Sequence, residues 1–130
     1  MGKLIAYCKI DCPYSIMTAE TLEKIKKMKN SANIEINWVN IAPSDKKSFF
    51  DKLNVGDHKT FPVIFYESTQ GTKYFIGGND KFQDIINIIK TMPTTHINNV
   101  KSSNGIKLLK HGGERRLYYY LMTLFDKINV

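Results

Sequence analysis

Cysteine is scarce in this chain. Two in 130 residues are too few for a disulfide scaffold and fit a reducing compartment. No apolar run approaches the ~20 residues that span a bilayer, and the N-terminus lacks a charged stretch followed by a long apolar one. The expected setting is therefore the cytoplasm, with neither secretion nor membrane attachment. Internal repeats and low-complexity tracts are also lacking. Arginine is nearly missing, 2 against 17 lysines; with abundant Asn and Ile this fits an AT-rich genome, a viral one included. What remains is ordinary globular composition, 42% hydrophobic and 24% charged, in a length that suits one domain with a real core. The net charge of +7 is uneven, with 13 basic against 10 acidic residues in 1–90 and 6 against 2 in 91–130. An excess this mild favours anionic partners and points only weakly to nucleic acid, which is not an expected partner.

The stretch around which the rest is organised is Cys8-Lys9-Ile10-Asp11-Cys12-Pro13-Tyr14-Ser15. Residues 3–7 before it are short, apolar and β-prone, a buried strand. After it Ile16, Ala19, Leu22, Ile25 and Met28 recur at helical spacing, a helix with an inward apolar face. Cys12 thus falls where strand hands over to helix, and Pro13 suits the first helical position. Unpaired N–H groups and the positive end of the dipole favour a thiolate at such a junction, and Lys9 adds a positive charge. The plainer alternative is a small buried apolar side chain, which the electropositive setting disfavours.

Further on, residues 34–41 alternate as a strand with Ile34, Ile36 and Trp38 on one face. Ala42-Pro43-Ser44-Asp45 supplies a turn and an N-cap for a short helix through Phe49, Phe50 and Leu53, which Gly56-Asp57 ends. Residues 61–67 form a strand, 68–72 a turn around Gly71, and 73–76 its hairpin partner. Helix signals return over 80–90 with Phe82, Ile85, Ile86 and Ile89 on one face. The order β-α-β-α-β-β-α begins with a parallel βαβ unit and ends its sheet in a hairpin. Residues 92–113 are polar and turn-rich, with a brief strand expected at 106–109. Residues 114–128 give a helix striped by Leu117, Leu121, Leu124 and Ile128, widened by Tyr118, Met122 and Phe125. Arg115, Arg116 and Tyr118-Tyr119-Tyr120 would also suit stacking on nucleic acid, but the spacing is that of a packed face. That face docks on the preceding domain or on a second copy as a homodimer; the sequence leaves both open.

Three segments, Tyr7 to Ser15, Thr60-Phe61-Pro62-Val63-Ile64-Phe65 and Phe75-Ile76-Gly77-Gly78-Asn79-Asp80, together resemble the glutaredoxins of the thioredoxin fold. The family patterns are Cys-Pro-Tyr-Cys, a Thr-Val-Pro turn and Gly-Gly-x-Asp. The likeness covers about residues 1–90 and leaves 91–130 as a C-terminal extension, an irregular arm followed by an amphipathic helix. It implies an α/β, thioredoxin-like fold: a four-stranded mixed sheet flanked by helices, plus the helical extension. It also implies a cis Pro62 facing Cys12, with the Phe61 backbone offered to an extended peptide. Glutathione, the cosubstrate, would be held by Lys9, Tyr14, Phe61, Pro62, Gly78, Asn79 and Asp80. Its γ-glutamyl end would lie on the N-terminus of the last domain helix, and its glycyl carboxylate on Lys9. A further polar contact from the second helix has four candidates: Lys46, Lys47, Ser48 and Lys59.

The departure is Ser15, where a dithiol member has its second Cys. A serine does not attack a mixed disulfide, though its hydroxyl can donate to the Cys12 sulfur. What the resemblance then implies is a glutathione-disulfide oxidoreductase of the monothiol kind, with Cys12 as catalytic residue and Ser15 as auxiliary. Its partners would be glutathione and glutathionylated or disulfide-bonded proteins, and no metal is expected at the site. Cys8 is expected to be structural, because a disulfide needs Cβ atoms about 3.5–4.5 Å apart and suitably directed. The competing reading is a dimer carrying an iron–sulfur cluster on Cys12 and bound glutathione. The cluster-carrying class typically shows Cys-Gly-Phe-Ser, whereas Pro13 and Tyr14 here stiffen and fill the loop as in the catalytic class.

Overall fold

The computed structural model describes residues 2–28, 33–91 and 120–121. Four strands, β1 Lys3–Lys9, β2 Ile34–Val39, β3 Val63–Glu67 and β4 Lys73–Gly77, form one sheet in the order β2-β1-β3-β4. β1 pairs parallel with β2 and antiparallel with β3, and β3 pairs antiparallel with β4. The helices are α1 Pro13–Met28, α2 Lys46–Leu53, entered through a 3₁₀ turn at Pro43–Asp45, and α3 Asn79–Thr91. Residues 2–91, so far as they are described, are thus α/β with a four-stranded mixed sheet and three α-helices, as expected.

Alternation along β1 divides the interior. Leu4, Ala6 and Cys8 face α1 and α3, packing with Leu22, Ile25, Phe82, Ile85 and Ile86. Ile5, with Tyr7 at the edge, faces Phe50 of α2 and Val63 and Phe65 of β3. Each fully buried Leu or Ile contributes about 1.5–3 kcal/mol of burial free energy, so both sides of the sheet are sealed, the α1–α3 side more heavily.

Several boundaries differ from the sequence reading. The inward face of α1 consists of Ser15, Thr18, Ala19, Leu22 and Ile25, so Ile16, 40% exposed, lies outside the stripe assigned to it. Ala19, Leu22 and Ile25 are buried as expected, and in the first turns Ser15 and Thr18 enter the interface because each hydroxyl finds a hydrogen-bond partner. α2 ends before Gly56: Asn54 adopts the left-handed conformation at φ 56°, and its N–H bonds to the Phe50 and Asp51 carbonyls, both at 3.2 Å. Asn tolerates that region better than other side-chain-bearing residues and so serves as the C-cap. Trp38 shares its face with Ile34 and Ile36 yet is 49% exposed, because β2 is the sheet edge. β3 begins at Val63 rather than Phe61.

Of the expected C-terminal helix, Tyr120 and Leu121 are described, and both are helical and buried in the α1–α3 core. Leu121 belongs to the apolar stripe read from the sequence; Tyr120 does not. Its hydroxyl donates to the Asn33 carbonyl at 2.8 Å and accepts the Asn33 N–H at 3.1 Å, while its ring packs 5.9 Å from Tyr66. This point of the extension therefore docks on its own domain. The strand expected at 106–109 and the rest of residues 114–128 lie outside the described residues.

Candidate active site

Cys12 occupies the corner between β1 and α1. Its N–H donates to the Lys9 carbonyl at 3.1 Å and its carbonyl accepts the Ile16 N–H at 3.0 Å, which makes it the N-cap of a 16-residue helix. Pro13 takes the first helical position, where an N–H would have no intrahelical partner. The positive end of the helix dipole therefore lies beside a half-buried thiol. Facing it, the Phe61–Pro62 bond is cis, and the Cys12 thiol donates to the Phe61 carbonyl at 3.6 Å. The Phe61 ring packs against those of Phe49 and Phe50, with centroids 5.5 and 5.1 Å away. The Phe61 N–H has no hydrogen-bond partner among the described residues.

Phe61 also walls a cleft of about 480 Å³. Its other lining residues are Tyr14, His58, Thr60, Pro62, Phe75, Gly77, Gly78, Asn79, Asp80 and Lys81. Six of the seven residues named as glutathione contacts thus border one hollow that adjoins the thiol through Phe61. At its far end the Phe82 N–H bonds to the Gly78 carbonyl at 3.1 Å. Gly78 therefore caps α3, and the N–H groups of residues 79–81 precede the first helical bond, the arrangement that receives anions. Space is tight there: a Cβ on Gly78 would stand 3.3 Å from His58 Cε1 and 3.5 Å from the Pro62 carbonyl oxygen.

Lys9 stands apart from the cleft lining. Its ammonium pairs with Asp11 at 2.7 Å, and that hydrogen bond, with a backbone one, holds the Asp11 carboxyl below the usual carboxylate range. A ligand carboxylate would have to share Lys9 with Asp11. Ser15 is fully buried, and its Oγ accepts the Lys9 N–H at 3.0 Å. The hydrogen bond it makes is to the backbone and not to the Cys12 sulfur, so its observed work is to tie the end of β1 to the first turn of α1. Asn79 turns its amide oxygen inward to Thr18 at 2.8 Å. Of the second-helix candidates, Lys46, Lys47 and Lys59 border a separate hollow of about 560 Å³, with Lys47 paired to Asp51 at 3.0 Å. Ser48 does not line it.

Sequence reasoning missed His58. Its Nε2 lies 3.3 Å from the Pro62 carbonyl oxygen, and its ring sits between Phe75 and Phe50, at 5.1 and 6.4 Å. A lone His in a loop carries no periodic signal. Thr18 was legible in principle, as a polar residue at the spacing of buried Leu22 and Ile25.

Cys8, by contrast, is fully buried against α1, and burial, with the nearby Cys12 thiol adding to it, pushes its pKa up to about 11. The raised value keeps Cys8 protonated well past neutrality. Native protein treated with iodoacetamide at pH 7.5 should therefore be alkylated at Cys12 alone, with Cys8 reacting only after denaturation. Peptide mass spectrometry checks this; comparable native labelling of both would contradict the burial argument.

Among the described residues no group of three or more His, Cys, Asp or Glu side chains converges to hold a metal ion, and no helix is long and apolar enough to cross a membrane. Fold and site together define an α/β domain with a cysteine at a helix N-cap beside a cleft that ends at the N-terminus of α3. The chain matches no family model, no curated protein and no solved structure.

Proposed function

We propose that this protein is a glutathione-dependent thiol–disulfide oxidoreductase of the glutaredoxin type, with a thioredoxin-like fold and Cys12 as its one nucleophile. The observation that carries the proposal is the juxtaposition of three things. A half-buried thiol at a helix N-cap lies 3.6 Å from the carbonyl of the residue before a cis proline, and Phe61 borders a cleft ending at the N-terminus of α3. A disulfide-bearing peptide needs these features: an attacking sulfur, a free backbone N–H at Phe61 to align it, and N–H groups for its carboxylate.

In the proposed cycle the Cys12 thiolate attacks the glutathionyl sulfur of a mixed disulfide. A Cys12–S–S–glutathione bond forms, and the substrate leaves as thiolate and takes up a proton. The thiolate of a second glutathione attacks the glutathionyl sulfur, releasing glutathione disulfide and regenerating Cys12. No second protein thiol is consumed, which accords with Ser15 at the family's second cysteine position and with the burial of Cys8.

Steady turnover of the mixed disulfide of cysteine and glutathione, followed as glutathione disulfide formation by colourless protein, is the expected result. A brown protein on anaerobic purification, with visible absorbance and negligible turnover, would instead favour a glutathione-ligated iron–sulfur carrier.

A further inference from the structure

α1 and α3 meet partly through polar side chains that an apolar helix interface does not require. Thr18 is fully buried and Asn79 is 7% exposed. The Thr18 hydroxyl donates to Asn79 Oδ1 at 2.8 Å. Gln83 Nε2 donates to the same oxygen at 3.3 Å and to Thr21 Oγ1 at 3.3 Å, while the Thr21 hydroxyl donates to the Met17 carbonyl at 3.1 Å. Both hydroxyl protons in this run, those of Thr18 and Thr21, are accounted for.

Two donors converging on one oxygen settle which way the Asn79 amide faces. Oδ1 is held towards Thr18 and Gln83, so Nδ2 is the end left over. It has no partner among the described residues, although the residue is more than nine-tenths buried and borders the cleft. Leaving a buried donor unsatisfied is costly, which marks the place of an acceptor supplied from outside. Asn79 is also the first residue of α3, so its amide adds a side-chain donor to the backbone N–H groups already there.

We infer that Thr18 and Gln83 are positioning residues that hold the Asn79 amide so that Nδ2 donates to a ligand carboxylate in the cleft. The inference rests on the proposed function, under which that carboxylate is the α-carboxylate of the γ-glutamyl group. It adds that the helix bearing the nucleophile also sets the donor geometry of the binding end. Thr18 lies on α1 six positions after Cys12, so one rigid element serves both.

Asn79→Asp is the sharpest probe. The aspartate keeps an oxygen for Thr18 and Gln83 but replaces the Nδ2 donor with an anionic oxygen facing the ligand carboxylate. The KM for the cysteine–glutathione mixed disulfide should rise by about tenfold or more, the scale of a lost hydrogen bond to a charged group, and by more than any fall in kcat. Thr18→Val, close in shape but without the donor, should raise KM severalfold, and Thr18→Ser should restore it. Thermal midpoints and calorimetric titration of reduced glutathione into Cys12→Ser backgrounds separate binding from folding. Wild-type KM and affinity in both Asn79→Asp and Thr18→Val would overturn the inference, as would a loss confined to kcat or a Thr18→Ser variant no better than valine. Failure of the wild-type chain itself to bind or turn over glutathione substrates would remove the functional proposal and this inference with it.

Discussion

Exchange of Cys12 for serine is expected to lower turnover of glutathione mixed disulfides by at least about a thousandfold while leaving the fold intact. The reason lies in what the exchange keeps. A serine hydroxyl can still donate to the Phe61 carbonyl, which the thiol reaches at 3.6 Å, so the corner between β1 and α1 loses little. What it cannot keep is a nucleophile able to enter thiol–disulfide exchange, because an alcohol stays protonated and does not displace a thiolate from sulfur. Cys8 offers no substitute, being fully buried and protonated. Initial rates of glutathione disulfide formation, paired with circular dichroism, check this. Retention of a tenth of wild-type turnover would move the chemistry off Cys12.

The second large effect is expected far from the cleft, at Tyr120. Tyr120→Ala removes a 3%-exposed aromatic ring packed on Tyr66 and should cost about 3–5 kcal/mol of unfolding free energy, as large-to-small changes of buried aromatics do. Tyr120→Phe keeps the ring but strands the Asn33 N–H that the hydroxyl accepts at 3.1 Å; about 1–3 kcal/mol is the expected loss. The same residue makes stability depend on alkaline pH. Burial, opposed by the hydrogen bond to Asn33 and reinforced by Tyr66, pushes its pKa up to about 12 from an ordinary 10. The folded state therefore holds the proton more tightly than the unfolded chain. The stabilisation is complete below pH 10 and is lost as pH rises from 10 to 12. Cys8 adds a loss of the same sign that begins lower and runs to about pH 11. Urea unfolding at pH 8, 10 and 11, wild type against Tyr120→Phe, separates the two: the variant should lack the tyrosine share of the alkaline decline. Identical midpoints and slopes would mean that the hydroxyl holds nothing.

The order of elements was legible because each carries its own signal. Val, Ile, Phe and Tyr cluster in 63–67, Gly71 marks the hairpin, and Phe82, Ile85 and Ile86 recur at helical spacing. The β1–α1 corner was legible as well, since Cys12-Pro13 combines a strand end with the one residue suited to a helix start. What escaped depends on partners distant in sequence. Thr18 faces inward because Asn79, 61 positions away, accepts its proton. Asn79 looked like a ligand contact and turns out to aim one end of its amide into the helix interface. Lys9 looked like a free cation, yet Asp11, two positions on, already claims it. Periodicity reports which face is apolar; it does not report which polar groups have found each other.

The Tyr120–Asn33 contact bridges 87 positions, and this sets an order of assembly. During synthesis β1 to β4 and α1 to α3 are complete once residue 91 has been added, before the tyrosine that packs on Tyr66 joins the chain. Docking of Tyr120 on the formed sheet is expected to come late, so Tyr120→Phe should speed unfolding and leave the folding rate nearly unchanged in stopped-flow measurements. A nascent chain halted between those points would carry the stacked Tyr66 and Tyr74 pair without its cover. That brief exposure is where a chaperone would find this protein.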